Sequence, residues 1–191
     1  MKNSIKATIL ACLVTASSLA GMSEVLHSTR SNRSAIPAAR GSRAAQRVVA
    51  AERRADLKLE EVHALIASAS RKNGVPTALV QSIVATESNF RYDAVSSRGS
   101  IGLMQLLPST ARQYGADASI PEQNIDAGTR YLRFLIDRYC HSRSPLKNAI
   151  AAYNAGFCAV DRYHGVPPFR ETQGYVNRVL ALMQQHQSQS A

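Results

Sequence analysis

Residues 76–90 read PTALVQSIVATESNF, and they pose one question: why should a helix carry an acid where its apolar stripe ought to continue? Leu79, Val80, Ile83 and Val84 fall at helical spacing. At about 100° per residue, their mean direction nearly coincides with that of Glu87. The acid therefore points where the core is. If the helix instead frayed by residue 86, Glu87 would merely mark its wet end. The rest of the chain decides between these readings.

On both sides of that stretch the periodicity stays helical. LEEVHALIASASRKNG (59–74) puts Val62, Leu65, Ile66 and Ala69 on one face and stops at Asn73-Gly74, a strong C-terminal signal. Pro76 suits the first turn of the Glu87 helix. SSRGSIGLMQLL is a Gly-punctuated loop with at most a short extended piece, and Pro108 reopens a helix to about Tyr114. NIDAGTRYLRFLIDRYC (124–140) is amphipathic, with Ile125, Gly128, Tyr131, Leu132, Leu135 and Ile136 inward. SPLKNAIAAYNAG follows as a short helix stopped by Gly156, and ETQGYVNRVLALMQQH is the last helix. No strong strand alternation and no internal repeat interrupts the series. The expectation is an all-α globule over residues 58–185, with a flexible tail at 186–191.

Composition places the folding weight in the same region. All eleven Tyr and Phe lie between Phe90 and Tyr175, and there is no Trp. The N-terminus reads as a secretion signal over 1–20: Lys2 and Lys6, then ATILACLVTASSLA, with Ser18 and Ala20 as the small residues before cleavage. The apolar run is shorter than the ~20 residues of a spanning helix, so no integral membrane segment is expected after cleavage. Residues 21–57 are rich in Ser, Ala and Arg and poor in large apolar groups, the pattern of a flexible basic linker.

Without the signal the chain keeps 21 basic and 13 acidic residues, a net charge of +8, so an anionic partner is expected. No aromatic is interleaved in the basic segment to stack on bases, which argues against nucleic acid. A secreted or periplasmic address favours an anionic wall polymer. Cys140 and Cys158 would remain as an even pair in an oxidising compartment. A bridge between them would be worth roughly 3 kcal/mol if unstrained; two buried free thiols are the alternative. No Cys/His spacing fits a metal site.

Three polar islands stand among these apolar helices: Glu87-Ser88, Gln105 after GLM, and Tyr153-Asn154. Taken singly each has an ordinary explanation. Taken in order, ES (87–88), SSRGSIGLMQLLPSTA (96–111), NIDAGTRYL (124–132), AYNAG (152–156) and ETQGYVNRV (171–179) closely resemble the lytic transglycosylases of the Slt family, relatives of goose-type lysozyme. The resemblance runs from about Leu59 to Met183. It implies a lysozyme-like helical fold with a sugar cleft. It also implies cleavage of the β-1,4 bond between N-acetylmuramic acid and N-acetylglucosamine in peptidoglycan, leaving 1,6-anhydro-muramic acid and needing no cofactor. By position, Glu87 matches the family's catalytic acid/base. Ser96 matches a serine near the substrate's N-acetyl group, Gln105 a sugar-contacting glutamine, and Tyr153 with Asn154 the pair lining the site.

The chemistry is consistent with that resemblance. An oxocarbenium-like transition state needs a protonated carboxyl to help the leaving oxygen depart, and an apolar pocket suits a carboxyl to that task. Lysozyme chemistry usually adds a second carboxylate, and Asp93, the nearest in sequence, reads as a turn residue. The family's solution uses the substrate's own N-acetyl group and C6 hydroxyl in its place. Two departures stand out: Leu107 replaces a common methionine, and Arg91-Tyr92 replaces a frequent Asn-Pro. Both touch the cleft wall or loop and spare the acid. Small relatives often open the wall for secretion, conjugation or pilus machines, so such a machine is an expected partner. A goose-lysozyme-like hydrolase and a non-catalytic wall-binding or envelope-assembly module are the competing readings.

Overall fold

The computed structural model describes residues 59–189, and the signal and linker expected over 1–57 lie outside the described residues. Among the described residues seven helices follow in chain order: α1 Leu59–Asn73, α2 Thr77–Ser88, α3 Pro108–Gln113, α4 Pro121–Arg138, α5 Pro145–Ala155, α6 Phe157–Arg162 and α7 Arg170–Gln189. Among the described residues there is no strand, only two isolated bridges, Val95 with Ile101 and Ile101 with Leu106. The all-α expectation holds.

Proline opens α3, α4 and α5, where its missing N–H costs nothing and its fixed φ is already helical. The apolar stripe of α2 is the centre of the core: Leu79, Val80, Ile83 and Val84 are each at most 1% exposed. The α2 helix packs along α7, and α4 packs between α1 and α5. Ile125, Leu132 and Leu135 supply the buried face of α4, whereas Tyr131 and Ile136 are only partly covered.

Three boundaries differ from the sequence reading. The α4 helix starts three residues before Asn124, at Pro121. A short α6 appears where Gly156 was expected only to stop a helix. The last helix continues through Gln189, so the tail expected from 186 is helical there; its Gln- and Ser-rich sequence contains no Gly or Pro to end it.

The expected Cys140–Cys158 bridge does not form. Cys140 is a free, exposed thiol. Tyr139, not Cys140, faces α6: its Oη donates to Asp161 at 2.8 Å and lies 3.2 Å from the Phe157 carbonyl. The next residue along is turned by about 100° from that contact. Even spacing in sequence does not supply the Cα and Cβ geometry a disulfide demands.

Candidate active site

The α2 helix runs through Ser88, and Asn89 ends it in the left-handed conformation (φ 51°) with its N–H on the Ala85 carbonyl. Glu87 is thus held in the last helical turn, half-buried, and the fraying alternative is set aside. Its Oε1 accepts a hydrogen bond from Tyr175 Oη of α7 at 2.8 Å. Burial, then the Glu87 charge, then that hydrogen bond push the Tyr175 phenol well above its ordinary pKa. Burial and the Glu87 charge likewise raise Tyr153. Two phenols that stay neutral therefore face one carboxyl.

The second wall is the loop 95–106, and directional bonds hold it. Ser88, next to the acid, has its Oγ 2.9 Å from the Leu103 carbonyl and 3.1 Å from its own helix's Val84 carbonyl. Asn124, fully buried on α4, makes three bonds: Oδ1 accepts from the Met104 N–H, and Nδ2 donates to the Ile101 and Ala118 carbonyls, each at 2.8 Å. Tyr153 Oη of α5 donates to the Met104 carbonyl at 2.9 Å. Met104 is thus held through both its backbone N–H and its carbonyl. Close approach needs small residues: a Cβ on Gly102 (φ +80°) would lie 2.6 Å from Asn124 Nδ2, and one on Gly128 would lie 2.5 Å from Met104 Sδ.

The residues singled out from sequence have the following places. The Glu87 charge, after burial, helps raise the pKa of the buried Tyr153 phenol. Gln105, at φ 47°, spends both amide hydrogens on the loop, donating to the Ala94 and Gly102 carbonyls at 3.0 and 2.9 Å. Only its Oε1 is left as an acceptor for a ligand. Ser96 Oγ accepts from the Ser100 N–H at 3.0 Å, and its hydroxyl hydrogen can still donate. Asn154 is buried, with Oδ1 accepting from Thr172 Oγ1 at 2.9 Å, a link between α5 and α7 whose remaining polar function is its amide nitrogen. Asp93 is exposed and ion-paired with Arg91 at 3.6 Å, which fits a turn residue. Among the described residues no group of His, Cys, Asp and Glu could hold a metal.

Two residues that the sequence reading passed over carry much of this arrangement. Tyr175 lies in the ETQGYVNRV stretch and Asn124 opens NIDAGTRYL. Each sat inside a stretch already marked, but neither residue type advertises a contact made across so many residues of chain.

Comparison with known proteins bears on this geometry. The family described as "Transglycosylase SLT domain" matches residues 64–176, which include every pocket residue named above. The chain is 33% identical over 142 residues to "Membrane-bound lytic murein transglycosylase C" of Mannheimia succiniciproducens, covering 64% of this chain and 38% of the relative. It is 38% identical over 92 residues to the "Transglycosylase" of Enterobacteria phage PRD1, covering 48% and 33%. The solved lytic transglycosylase Slt of Pseudomonas aeruginosa, an inactive mutant, superposes with a TM-score of 0.54 at 30% identity, over 63% of this chain and 23% of that one. The chain thus spans roughly a third of the length of the curated relatives it matches.

Proposed function

The chain belongs to the transglycosylase SLT domain family, and from that premise we propose that it is a peptidoglycan lytic transglycosylase with Glu87 as its acid/base. The observation that carries the reading is a single carboxyl at the end of the core stripe, held by the neutral phenol of Tyr175, while the acid nearest in sequence, Asp93, is paired with Arg91 at the surface. In this reading one carboxyl serves both halves of the reaction.

In this mechanism the protonated Glu87 carboxyl gives its proton to the glycosidic oxygen, and the C1–O bond to the leaving N-acetylglucosamine breaks. The substrate's acetamido oxygen stabilises the cationic C1. The C6 hydroxyl then attacks C1 and returns its proton to Glu87, closing the 1,6-anhydro ring without water. Tyr175 orients the carboxyl throughout. Gln105 Oε1, the Ser96 hydroxyl and the Asn154 amide are proposed to bind acetamido groups, for which their remaining donors and acceptors are suited.

The test is mass spectrometry of muropeptides released from purified sacculi by the mature chain and by Glu87→Gln. Fragments ending in anhydro-muramic acid, reduced about 10²–10⁴-fold by the substitution, are expected. Reducing-end fragments would make it a hydrolase instead. No fragments from either protein would leave a binding module.

The proposed address is the cell envelope: among the described residues no helix is long and apolar enough to cross a membrane, and the Mannheimia relative carries the name of a membrane-bound murein enzyme. Local wall opening beside a secretion, conjugation or pilus machine is proposed with the Arg-rich residues 21–57 as the contact. A deletion of that segment that left localisation and complex recovery unchanged would remove this part.

A further inference from the structure

Acidic residues thin out at one end of the molecule. Between Asp137 and Asp161 the sequence has no Asp or Glu, and between Asp161 and Glu171 there is none either. Both aspartates are already engaged: Asp137 pairs with Arg133 and Asp161 with Arg138, and Asp161 also accepts from Tyr139 Oη at 2.8 Å. Arg143, Lys147 and Arg162 are exposed, and none of them forms an ion pair among the described residues. Their charges go uncompensated.

Packing brings the three together. Asn148, 6% exposed, is the hub: its Nδ2 donates to Ser142 Oγ at 3.0 Å, its backbone N–H to the Ser144 carbonyl at 2.9 Å, and a Cβ on Gly165 would lie 3.8 Å from its Oδ1. Arg143 follows Ser142, Lys147 precedes Asn148, and Arg162 stands shortly before Gly165. The turn between α4 and α5, the first turn of α5 and the segment after α6 thus make one basic end. Tyr163 joins it, 45% exposed and held edge-on against Phe169 at 5.5 Å and 82°. Mutual repulsion of the charges and exposure of the ring bring the fold no gain.

We propose that this end docks on an anionic lipid surface, with Arg143, Lys147 and Arg162 meeting phosphate headgroups while the Tyr163 ring enters the interfacial layer. Each Lys or Arg near such a surface adds attraction, which salt screens. A tyrosine suits the boundary of headgroups and acyl chains, because its ring is apolar and its hydroxyl stays wet. Charges carried on three separate segments fit an extended sheet of anions. One exposed ring is too little apolar area for the core of a stable protein interface.

The α5 helix gives the docked chain a direction. Lys147 lies in its first turn and Tyr153 in its last, about 9 Å apart along the axis. The loop wall that Tyr153 holds is therefore at the other end of α5, and docking leaves the Glu87 pocket open. The inference stands apart from the catalytic reading and adds an orientation to the proposed envelope address.

Co-sedimentation of the mature chain with vesicles tests it, using phosphatidylcholine alone and phosphatidylcholine with an equal part of phosphatidylglycerol. Binding is expected to the anionic vesicles only. Arg143→Gln with Arg162→Gln should lower that affinity about twentyfold. Arg71→Gln with Arg112→Gln, an equal loss of charge from exposed positions on α1 and α3, should change it less than about twofold. Tyr163→Ser should lower it about threefold, by a factor that salt does not erase. All these side chains are exposed, so urea midpoints should stay near the parent's and report any loss of fold. Equal losses from the two arginine pairs would assign the binding to net charge or to the basic segment 21–57 and overturn the inference. So would equal binding to both kinds of vesicle, or none to either. Retention on purified sacculi that depends on Arg143 and Arg162, without vesicle binding, would assign the face to a wall polymer and overturns it too. Muropeptide release by the same variants should match the parent's, and its absence from the parent would defeat the catalytic reading alone.

Discussion

The two walls of the Glu87 pocket are built on different physics. The helical wall, α2 against α7, is apolar: Val80, Ile83, Val84 and Val179 have no exposed surface. The loop wall at 95–106 buries Leu103 and Met104, but its shape comes from bonds to Asn124, Ser88, Tyr153 and Gln105. Burial is non-directional and scales with area, so the helical wall holds Glu87 firmly but tolerates small adjustments. Hydrogen bonds are directional and costly to leave unmade, so the loop has one shape or none. Changes in the first wall should therefore register as lost stability, and changes in the second as lost activity beyond the lost stability.

The largest stability effect is expected from Ile83→Ala, which empties a fully buried site of α2 and should cost about 2–5 kcal/mol. Urea unfolding measures it, and activity per folded molecule should stay near the parent's. A variant that keeps its stability but loses activity would break the comparison. Asn124→Ala should follow at about 2–3 kcal/mol, because it strands the Met104 N–H and two carbonyls. Here activity at low temperature, with the protein still folded, should fall well below that of Ile83→Ala. Equal activity in the two variants would show that the loop does not shape the site.

Gly128→Ala tests the seam between α4 and the loop wall. Its Cβ would meet Met104 at 2.5–2.9 Å, and overpacking of that kind costs about 1–3 kcal/mol. Tyr175→Phe removes one hydrogen bond from a half-exposed carboxyl and should cost about 1 kcal/mol. Its sharper readout is kcat, expected to fall about tenfold with KM nearly kept if the phenol's part in the proposed mechanism is to orient Glu87. Because burial and the Glu87 charge hold the Tyr175 phenol above its ordinary pKa, the donor stays protonated through mildly alkaline pH. The alkaline limb of the parent's rate profile should not shift when Tyr175 is replaced. A shift would make Tyr175 a proton carrier.

The helical wall was legible because a repeated spacing encodes it. Leu79, Val80, Ile83 and Val84 announce their own face, and that face exposed Glu87 as an anomaly. The loop wall was legible only through resemblance, since no periodicity places Gln105 or Ser96. Their bonds run largely to the loop's own backbone, a role that residue type alone does not announce. Tyr175 and Asn124 act across 88 and 20 residues of chain, a distance over which single residues carry no sign of their partners. The cysteines failed for the same reason: Cys140 is exposed because Tyr139 takes the inward position, a matter of one residue's rotation that counting cannot supply.

The smallest effect belongs to the rim of the helical frame, where neither kind of wall operates. Lys72 of α1 pairs with Asp126 of α4 at 2.9 Å, with side chains 67% and 26% exposed, and Asn73 Nδ2 donates to the same carboxylate at 3.2 Å. Burial by itself raises the Asp126 pKa, but the hydrogen bonds of Lys72 and Asn73 and the charges of Lys72 and Arg130 together outweigh it, so the net shift is downward. A carboxyl whose folded pKa is depressed stabilises the fold above its ordinary value of 3.8 and loses that contribution as pH falls through the lower folded value. Asp126→Asn should therefore be less stable than the parent at neutral pH, by under about 1 kcal/mol for so exposed a pair. The gap should close well below pH 3.8. Urea midpoints of both proteins at the two pH values measure this, with salt narrowing the neutral-pH gap. A gap that survives acid would mean that Asp126 acts through packing, and would move the α1–α4 joint into the class of the apolar wall.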